Sequence, residues 1–341
     1  MMEGAELGRL EAWCAAVVPG FVGPLVATRF AGGQSNPTYR LETPGASYVL
    51  RRKPPGVLLP SAHQVDREYR VMKALAGTAV PVPRMVGLCE DPGVIGSMFF
   101  VMEHVPGRVF MDARLPGMTG AERAAVYDSM NATIAALHSV DVAAVGLGDF
   151  GRPGAYMARQ ISRWTKQYRA SETVAIPEMD RLIEWLGAYT PPEGRVSIVH
   201  GDYRLDNLML HPVEPRAVAL QDWELSTLGD PIADFAYHVM VWRFAPELFR
   251  GLAGEDLGVL GIPSEAEYVA QYCARTGREG IADWDYYVVF GMFRLAAILQ
   301  GIAKRALDGT AAAADAAELG ARARPLAEGA WGVAQKVAGK G

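Results

Sequence analysis

The chain has 341 residues and a formal net charge of −5; 50% of its residues are hydrophobic and 21% are charged. These values are ordinary for a globular protein, so they exclude a disordered chain, and the length predicts about two domains or one domain of two lobes. The acidic balance argues against a nucleic-acid coat or a polybasic membrane surface.

The three cysteines, Cys14, Cys89 and Cys273, are far apart in the sequence, which is typical of reduced, buried thiols and not of a disulfide framework or zinc site. Acidic residues precede any apolar run at the N-terminus, unlike a secretory signal. The apolar stretch 288–300 contains Arg294, so no membrane span is predicted. We therefore expect a cytoplasmic protein that binds neither membrane nor nucleic acid, and its oligomeric state is unknown.

The N-terminal third of the chain predicts strands and turns around one helix. The helix is expected to start at a capping box formed by Ser61 and Gln64. Strands are predicted over 26–30, 38–42, 47–52, 84–89 and 97–104.

Pro106 and Gly107 interrupt this pattern, and beyond them the chain is mainly helical. A hairpin is predicted over 197–222, with its turn at 211–216. Helices are predicted over 121–139, 154–171, 178–189 and 285–307. A strand-rich part before a helical part favours an α+β fold. The division predicts an N-terminal lobe over 1–105 and a helical C-terminal lobe over 106–341.

The densest polar cluster reads HGDYRLDN from His200 to Asn207, and Asp222-Trp223-Glu224 begins 15 residues after Asn207. Phosphoryl transfer needs a carboxylate that orients and deprotonates a hydroxyl, together with oxygen ligands that hold Mg²⁺ on the phosphates. Asp202, Asn207 and Asp222 supply these groups. The alternatives are a nucleotide-binding pseudokinase without turnover and an interaction module in which the same residues form turns and caps.

The pattern H-G-D-x-x-x-x-N followed by D-W-E resembles the protein-kinase-like fold. More closely, it is similar to the aminoglycoside phosphotransferase and choline kinase family of small-molecule kinases, and it looks nearest to the kinase-like domains fused to acyl-CoA dehydrogenases. The resemblance covers roughly residues 25–310. It implies a two-lobed fold with an antiparallel-sheet N-lobe, and transfer of the γ-phosphoryl group of Mg-ATP to a hydroxyl of a small molecule.

The resemblance also implies roles for the motif residues. Asp202 matches the catalytic base, and Asn207 and Asp222 match the Mg²⁺ ligands. Asp230 and Asp234, which follow the motif, are expected to brace the catalytic loop without touching phosphate.

The N-terminal lobe should then bind ATP. Gly33, Ser35 and Asn36 lie in a turn between two strands, where a phosphate-covering loop belongs, since glycine lets backbone N–H groups approach phosphate oxygens. By resemblance, the backbone groups of Glu103 and Val105 in the hinge bind adenine.

Arg51 stands where the kinase family has its phosphate-binding lysine, and Lys53 on the same strand face is a rival for that role. Glu68 lies inside the apolar stripe of the following helix. Because an unpaired carboxylate is costly to bury, we predict that Glu68 pairs with Arg51.

Only 7 residues separate Asp222 from Asp230, which is too short for the segment that binds protein substrates and favours a small-molecule acceptor. Arg294 and Arg305 are 11 residues apart and would share one helix face. A basic face would suit an acidic acceptor such as a CoA thioester; the alternative is that these side chains make surface ion pairs or lie along the surface with their charged ends in water. The resemblance points to a hydroxyacyl-CoA, with an aminoglycoside less favoured.

Overall fold

A computed structural model describes residues 4–30, 36–54, 64–311 and 314–339. It has a five-stranded antiparallel sheet in its N-terminal part and is mainly helical thereafter, with two small two-stranded sheets. The predicted α+β class is confirmed. The lobe boundary between residues 105 and 106 stays a prediction.

Within the described ranges the strands are β1 (Val26–Arg29), β2 (Thr38–Glu42), β3 (Ser47–Arg52), β4 (Met85–Cys89), β5 (Phe99–Glu103), β6 (Ser197–Val199), β7 (Leu208–Leu210), β8 (Ala217–Leu220) and β9 (Thr227–Gly229). The helices are α1 (Gly4–Val17), α2 (Val65–Leu75), α3 (Pro92–Ile95), α4 (Gly120–Ser139), α5 (Tyr156–Ser171), α6 (Pro177–Ala188), α7 (Pro231–Val239), α8 (Pro246–Phe249), α9 (Leu257–Leu260), α10 (Glu265–Thr276), α11 (Trp284–Leu307), α12 (Ala316–Ala321) and α13 (Ala323–Ala338).

Strand β3 is the central strand of the large sheet, whose order is β1-β2-β3-β5-β4. Arg51 on β3 lies opposite Thr38 of β2 and Phe100 of β5. Arg51 thus lies on a strand that is paired on both sides, so its guanidinium group projects from a rigid support.

Helix α2 packs one face against the sheet. Its buried residues include Val65, Glu68, Met72 and Leu75, whose spacing of three to four residues places them on one side of the helix. The apolar members join the main core, which continues into the C-terminal helices. Helix α2 begins at Val65, and the Gln64 side chain forms no capping hydrogen bond there. Ser61 lies outside the described residues, so the predicted capping box between Ser61 and Gln64 stays a prediction.

A second, smaller core lies between α1 and the sheet, and it includes Leu10, Cys14 and Phe99. All three cysteines are free and buried, as predicted. Burial raises the pKa of the Cys14 thiol to about 12, so this thiol stays protonated and unreactive near neutral pH.

Helix α11 is the longest core element of the C-terminal part. Its 24 residues are long and apolar enough to cross a membrane by length and composition, contrary to the expectation that Arg294 breaks the run. However, 83% of its most apolar window is buried inside the protein, against α5, α7 and α13. A helix at the core of a protein meets the same criteria of length and composition, because its apolar side chains are buried by neighbouring helices.

The region 197–229 forms two pairs of short strands instead of the single predicted hairpin. Strands β7 and β8 form a hairpin, whereas β6 pairs with β9 further along the chain. Consequently the loop 200–207 leaves β6 and enters β7, and the segment 221–226 leaves β8 and enters β9. Both irregular segments therefore lie at the same end of the two strand pairs.

Helix α7 is buried along its whole length, and His238 near its C-terminus bonds Tyr268 through Nε2 at 2.8 Å. Burial lowers the pKa of His238 to about 3, against an opposing effect of Asp234. As the pH falls below the ordinary pKa of 6.5, His238 therefore binds a proton in the unfolded chain before it does so in the folded protein. The stability that neutral His238 contributes is complete above that pH and is lost as the pH falls towards 3.

Thermal unfolding between pH 7 and pH 5 tests this prediction. The free energy of unfolding should fall by up to about 1.4 kcal/mol per pH unit below the ordinary pKa of histidine. His238→Gln, which keeps a polar side chain but does not titrate, should flatten that slope. Parallel pH profiles for the two proteins would assign the acid sensitivity to other groups.

Candidate active site

The loop 200–207, here called the catalytic loop, holds the Asp202 carboxylate from two sides. Asn207 Nδ2 donates to Asp202 Oδ2 at 3.1 Å and to the Asp202 carbonyl at 2.8 Å. Arg204 Nε forms an ion pair with Asp202 Oδ1 at 3.2 Å. The Asp202 side chain is still 20% exposed, so an oriented carboxylate is accessible to a ligand.

The β7–β8 hairpin brings Asn207 and Asp222 to one place. Leu208 pairs with Leu220, and the Gln221 N–H donates to the Asn207 carbonyl at 2.9 Å. Asp222 adopts the left-handed conformation, with φ 63° and ψ 63°. That conformation is rare for a residue other than glycine and is concentrated at functional sites.

The donor chemistry at this place fits Mg²⁺. Both Nδ2 bonds of Asn207 point to Asp202, which leaves Asn207 Oδ1 as an oxygen donor, and Asp222 lies just past the end of the paired strand of the same hairpin. Among the residues in the described ranges, no group of three or more His, Cys, Asp or Glu side chains could hold a metal. Mg²⁺ needs only one or two protein oxygens when phosphates and water supply the rest.

His200 and Gly201 fix the start of the catalytic loop. His200 is fully buried; its Nε2 donates to the Gln221 carbonyl at 2.8 Å, and its Nδ1 accepts from the Asp202 N–H at 3.2 Å. Gly201 has φ 81°, and a Cβ there would lie 2.7 Å from the Leu225 carbonyl oxygen. Only glycine fits this position, which brings the loop against the segment after Asp222.

Asp234 braces the catalytic loop, as predicted. Its two carboxylate oxygens accept the backbone N–H groups of His200 at 2.7 Å and Gly201 at 2.9 Å. His138 Nε2 lies 3.2 Å from the same carboxylate. Burial raises the pKa of Asp234, but the bonds from His138 and His200 lower it by more, so the net pKa lies below its ordinary value. Asp234 therefore remains an ionised acceptor.

Asp234→Ala should destabilise the fold because it leaves two buried N–H groups without an acceptor. At about 1–3 kcal/mol for each unsatisfied donor, we expect a loss of roughly 2–5 kcal/mol, measured by denaturant unfolding. Asp308→Ala removes an exposed ion pair with Lys304 and should cost under about 0.5 kcal/mol. Similar losses in both variants would contradict the bracing role.

Asp230 has a different position from the one predicted. It caps α7 through the Ile232 N–H at 2.8 Å and accepts from the Tyr287 hydroxyl at 2.9 Å. Among the described residues, its hydrogen bonds go to α7 and α11 and not to the catalytic loop. It therefore supports the start of α7 and reaches the loop only through Asp234 on that helix.

Arg51 and Glu68 pair as predicted. Arg51 Nε lies 3.0 Å from Glu68 Oε2, and Arg51 Nη2 lies 2.9 Å from Asp222 Oδ1. Burial raises the pKa of the Glu68 carboxyl to about 7, more than Arg51 lowers it. Arg51 thus connects the buried carboxylate of α2 to the exposed Asp222 across the cleft.

The remaining nucleotide-side residues divide into three cases. Gly33 and Ser35 lie outside the described residues. Asn36 is buried and donates to Glu68 Oε1 at 2.9 Å, so the contact that the structure gives it supports the Arg51–Glu68 pair. Its role at the nucleotide stays a prediction. Lys53, the rival of Arg51, lies 3.6 Å from Asp66.

The predicted adenine contacts, Glu103 and Val105, follow directly from β5. The Glu103 N–H donates to the Arg84 carbonyl at 2.9 Å, and the His104 N–H donates to Ser47 at 3.2 Å. This segment connects the sheet to the helical part, as a hinge does. Adenine binding there stays a prediction.

Sequence reasoning missed several charged residues at the site. Arg204 binds both Asp202 and Asp206, and Arg250 binds Asp206 at 2.7 Å. Arg204 stands two residues after Asp202, which was a readable signal. Arg250 comes from a separate loop, and no pattern in the sequence connects it to the motif.

The predicted basic face on α11 is wrong. Arg294 is only 7% exposed and donates to the Gly201 carbonyl, whereas Arg305 lies three turns away on the exposed part of the same helix. The large buried surface of α11 turns Arg294 inward, so it supports the catalytic loop and does not form a surface with Arg305.

Comparison with known proteins places the chain in a family. The model of the phosphotransferase enzyme family matches residues 26–286. "Acyl-CoA dehydrogenase family member 10" of Mus musculus is 48% identical over 317 residues, 92% of this chain but 30% of that protein. The chain spans less than half the length of the curated relatives that it matches.

Two solved structures share the fold. One from Ralstonia eutropha, named provisionally as an aminoglycoside phosphotransferase, is 57% identical with a TM-score of 0.90, covering 96% of this chain and 98% of that one. A thermostable mutant of aminoglycoside phosphotransferase APH(4)-Ia, in complex with AMP-PNP and hygromycin B, is 16% identical with a TM-score of 0.60, covering 94% and 98%. The second likeness shows the fold alone. The chain belongs to the phosphotransferase enzyme family.

Proposed function

We propose that this chain transfers the γ-phosphoryl group of ATP, bound with Mg²⁺, to a hydroxyl group of a small molecule. The convergence of Asp202, Asn207 and Asp222 at one end of the β7–β8 hairpin carries this proposal. Arg51 approaches Asp222 from the sheet at 2.9 Å. A carboxylate for the hydroxyl, oxygen donors for the metal and a cation for phosphate are the parts that phosphoryl transfer requires.

In the proposed reaction the acceptor hydroxyl oxygen bonds to the γ-phosphorus, the bond from that phosphorus to the bridging oxygen breaks, and ADP leaves with the electron pair. Asp202 accepts the hydroxyl proton, with its carboxylate oriented by Asn207 and Arg204. Asn207 Oδ1 and the Asp222 carboxylate would hold Mg²⁺, which neutralises phosphate charge. Glu68 orients the Arg51 guanidinium towards the phosphates.

A small-molecule acceptor is favoured because the segment after Asp222 is short. Strand β9 begins five residues after Asp222, and α7 follows it immediately. A hydroxyacyl-CoA is the acceptor that we favour, and relatives named as acyl-CoA dehydrogenase family members support it. An aminoglycoside is the less favoured acceptor.

The test is incubation of the purified chain with Mg-ATP and either hydroxyacyl-CoA thioesters or an aminoglycoside. We expect the reaction to produce ADP and an equal amount of phosphorylated acceptor. Mass spectrometry should show that the acceptor has gained the mass of one phosphoryl group. Nucleotide binding without turnover on any hydroxyl acceptor would identify a pseudokinase instead. Absence of any nucleotide effect on thermal stability would identify an interaction module.

A further inference from the structure

A cavity of about 470 Å³ adjoins the catalytic loop and is rich in arginine. Gly201 and the segment 224–228 form one side, and α5 forms another. Asp202, Asp222 and Arg51 do not line it, so it is separate from the phosphate-binding position of Arg51. The arginine cavity is lined by Arg67, Arg152, Arg159, Arg163 and Arg294.

The positive charge of the arginine cavity is poorly balanced. Among the described residues that line it, Glu224 is the one carboxylate, and it also lies 3.8 Å from Arg51. None of the five arginines forms a salt bridge within the part of the chain that the structure describes. Arg67 and Arg159 instead donate to backbone carbonyls, at 2.8 Å to Phe150 and 2.8 Å to Arg152. Five guanidinium groups beside a single carboxylate are favourable only where an anion or water compensates the excess positive charge.

Two buried donors on the cavity wall lack partners. Trp164 is 5% exposed and Arg294 is 7% exposed. Trp164 Nε1 and Arg294 Nε have no hydrogen-bond partner among the described residues. The Arg294 guanidinium lies 5.0 Å from the Trp164 ring centroid, so both donors belong to one part of the wall. Unsatisfied buried donors are uncommon unless a ligand or water completes them.

We infer that the arginine cavity binds a phosphate-bearing part of the acceptor, and this inference rests on the proposed function. One guanidinium group can donate two parallel hydrogen bonds to the oxygens of a phosphate, and it stays positively charged at all working pH values. The cavity meets the catalytic loop at Gly201, next to Asp202, so an acceptor anchored there presents its hydroxyl near the base. Like-charge repulsion disfavours a polycationic aminoglycoside at the same place.

The test uses coenzyme A as a phosphate-bearing probe, measured by calorimetry. Arg152→Gln/Arg163→Gln removes two exposed charges that form no described salt bridge, so the fold should survive. We expect at least a tenfold weaker Kd for coenzyme A in this variant. The control, Arg181→Gln/Arg216→Gln, removes two exposed arginines that pair with Glu178 and Glu214 elsewhere, and it should bind coenzyme A like the wild type.

The remaining outcomes overturn the inference in distinct ways. Equal coenzyme A binding in the wild type and the cavity variant would remove the cavity as the phosphate site. Inorganic pyrophosphate that binds as tightly as coenzyme A, with the same loss, would make it a site for free anions. Binding of Mg-ADP, measured in parallel, separates the two proposals: a wild-type protein that binds coenzyme A but not Mg-ADP would reject the kinase proposal and, with it, the assignment of the cavity to the acceptor.

Discussion

Asp202→Asn is expected to lower the rate of phosphoryl transfer by about 10²- to 10⁴-fold, the range typical of a lost general base. The amide has nearly the shape of the carboxylate but cannot accept the hydroxyl proton. Asn207 and Arg204 hold the present side chain at 3.1 Å and 3.2 Å, so the wild-type carboxylate is already oriented for that proton. Acceptor-dependent ADP release measures the rate.

Two controls make the Asp202 result interpretable. Asp308→Asn changes an exposed carboxylate on the far end of α11 and should leave ADP release unchanged. The thermal midpoint of Asp202→Asn should stay close to that of the wild type, because the side chain is partly exposed. An unaltered turnover rate in Asp202→Asn would remove Asp202 from the role of base.

Asp222→Ala is expected to abolish the Mg²⁺-dependent part of nucleotide binding. The substitution removes a carboxylate that would hold the metal, together with the partner of Arg51 at 2.9 Å. For the wild type, Mg-ADP at about 100 times its Kd stabilises the fold by about 2.7 kcal/mol. That gain corresponds to a rise of several degrees in Tm, at very roughly 2–4 °C per kcal/mol.

The measurement is thermal unfolding with ADP, with and without Mg²⁺. Asp222→Ala should show the same Tm in both conditions, whereas the wild type and Asp308→Ala should show the Mg²⁺-dependent rise. Since Arg51 also loses a partner, Arg51→Met serves as a second variant that should weaken nucleotide binding but keep its dependence on Mg²⁺. A full Mg²⁺-dependent rise in Asp222→Ala would contradict its role as a metal ligand.

Local patterns in the sequence predicted most of the elements that carry the site. Alternation over 47–52 gave β3 with the same bounds, and the predicted helix over 121–139 differs from α4 by one residue. The pairing of Arg51 with Glu68 was also predictable, because a carboxylate within an apolar helical stripe must find a cation when it is buried. The residues of a single segment are enough to show its periodicity and to show that a charge in its apolar stripe would be costly to bury.

Pairing between distant segments was not predictable in the same way. The β6 strand has only three residues, too few for its pattern to choose a partner, and it pairs with β9 instead of joining the β7–β8 hairpin. Likewise, helical spacing placed Arg294 and Arg305 on one face but could not say which part of that face is buried. Packing of α11 against several helices decided that Arg294 points to Gly201.

The sequence by itself indicated the functional groups of the proposed site, which are the oxygen donors of Asp202, Asn207 and Asp222 and the cation at Arg51, and it predicted the α+β arrangement. Their residue types and spacings carry that information because each role needs a particular functional group. Only the tertiary structure decided that Arg294 supports the catalytic loop and that arginines from α2, α5, α11 and the loop before α5 surround one cavity. Residues so far apart in the chain share a site only through the packing of their elements, which no local pattern encodes.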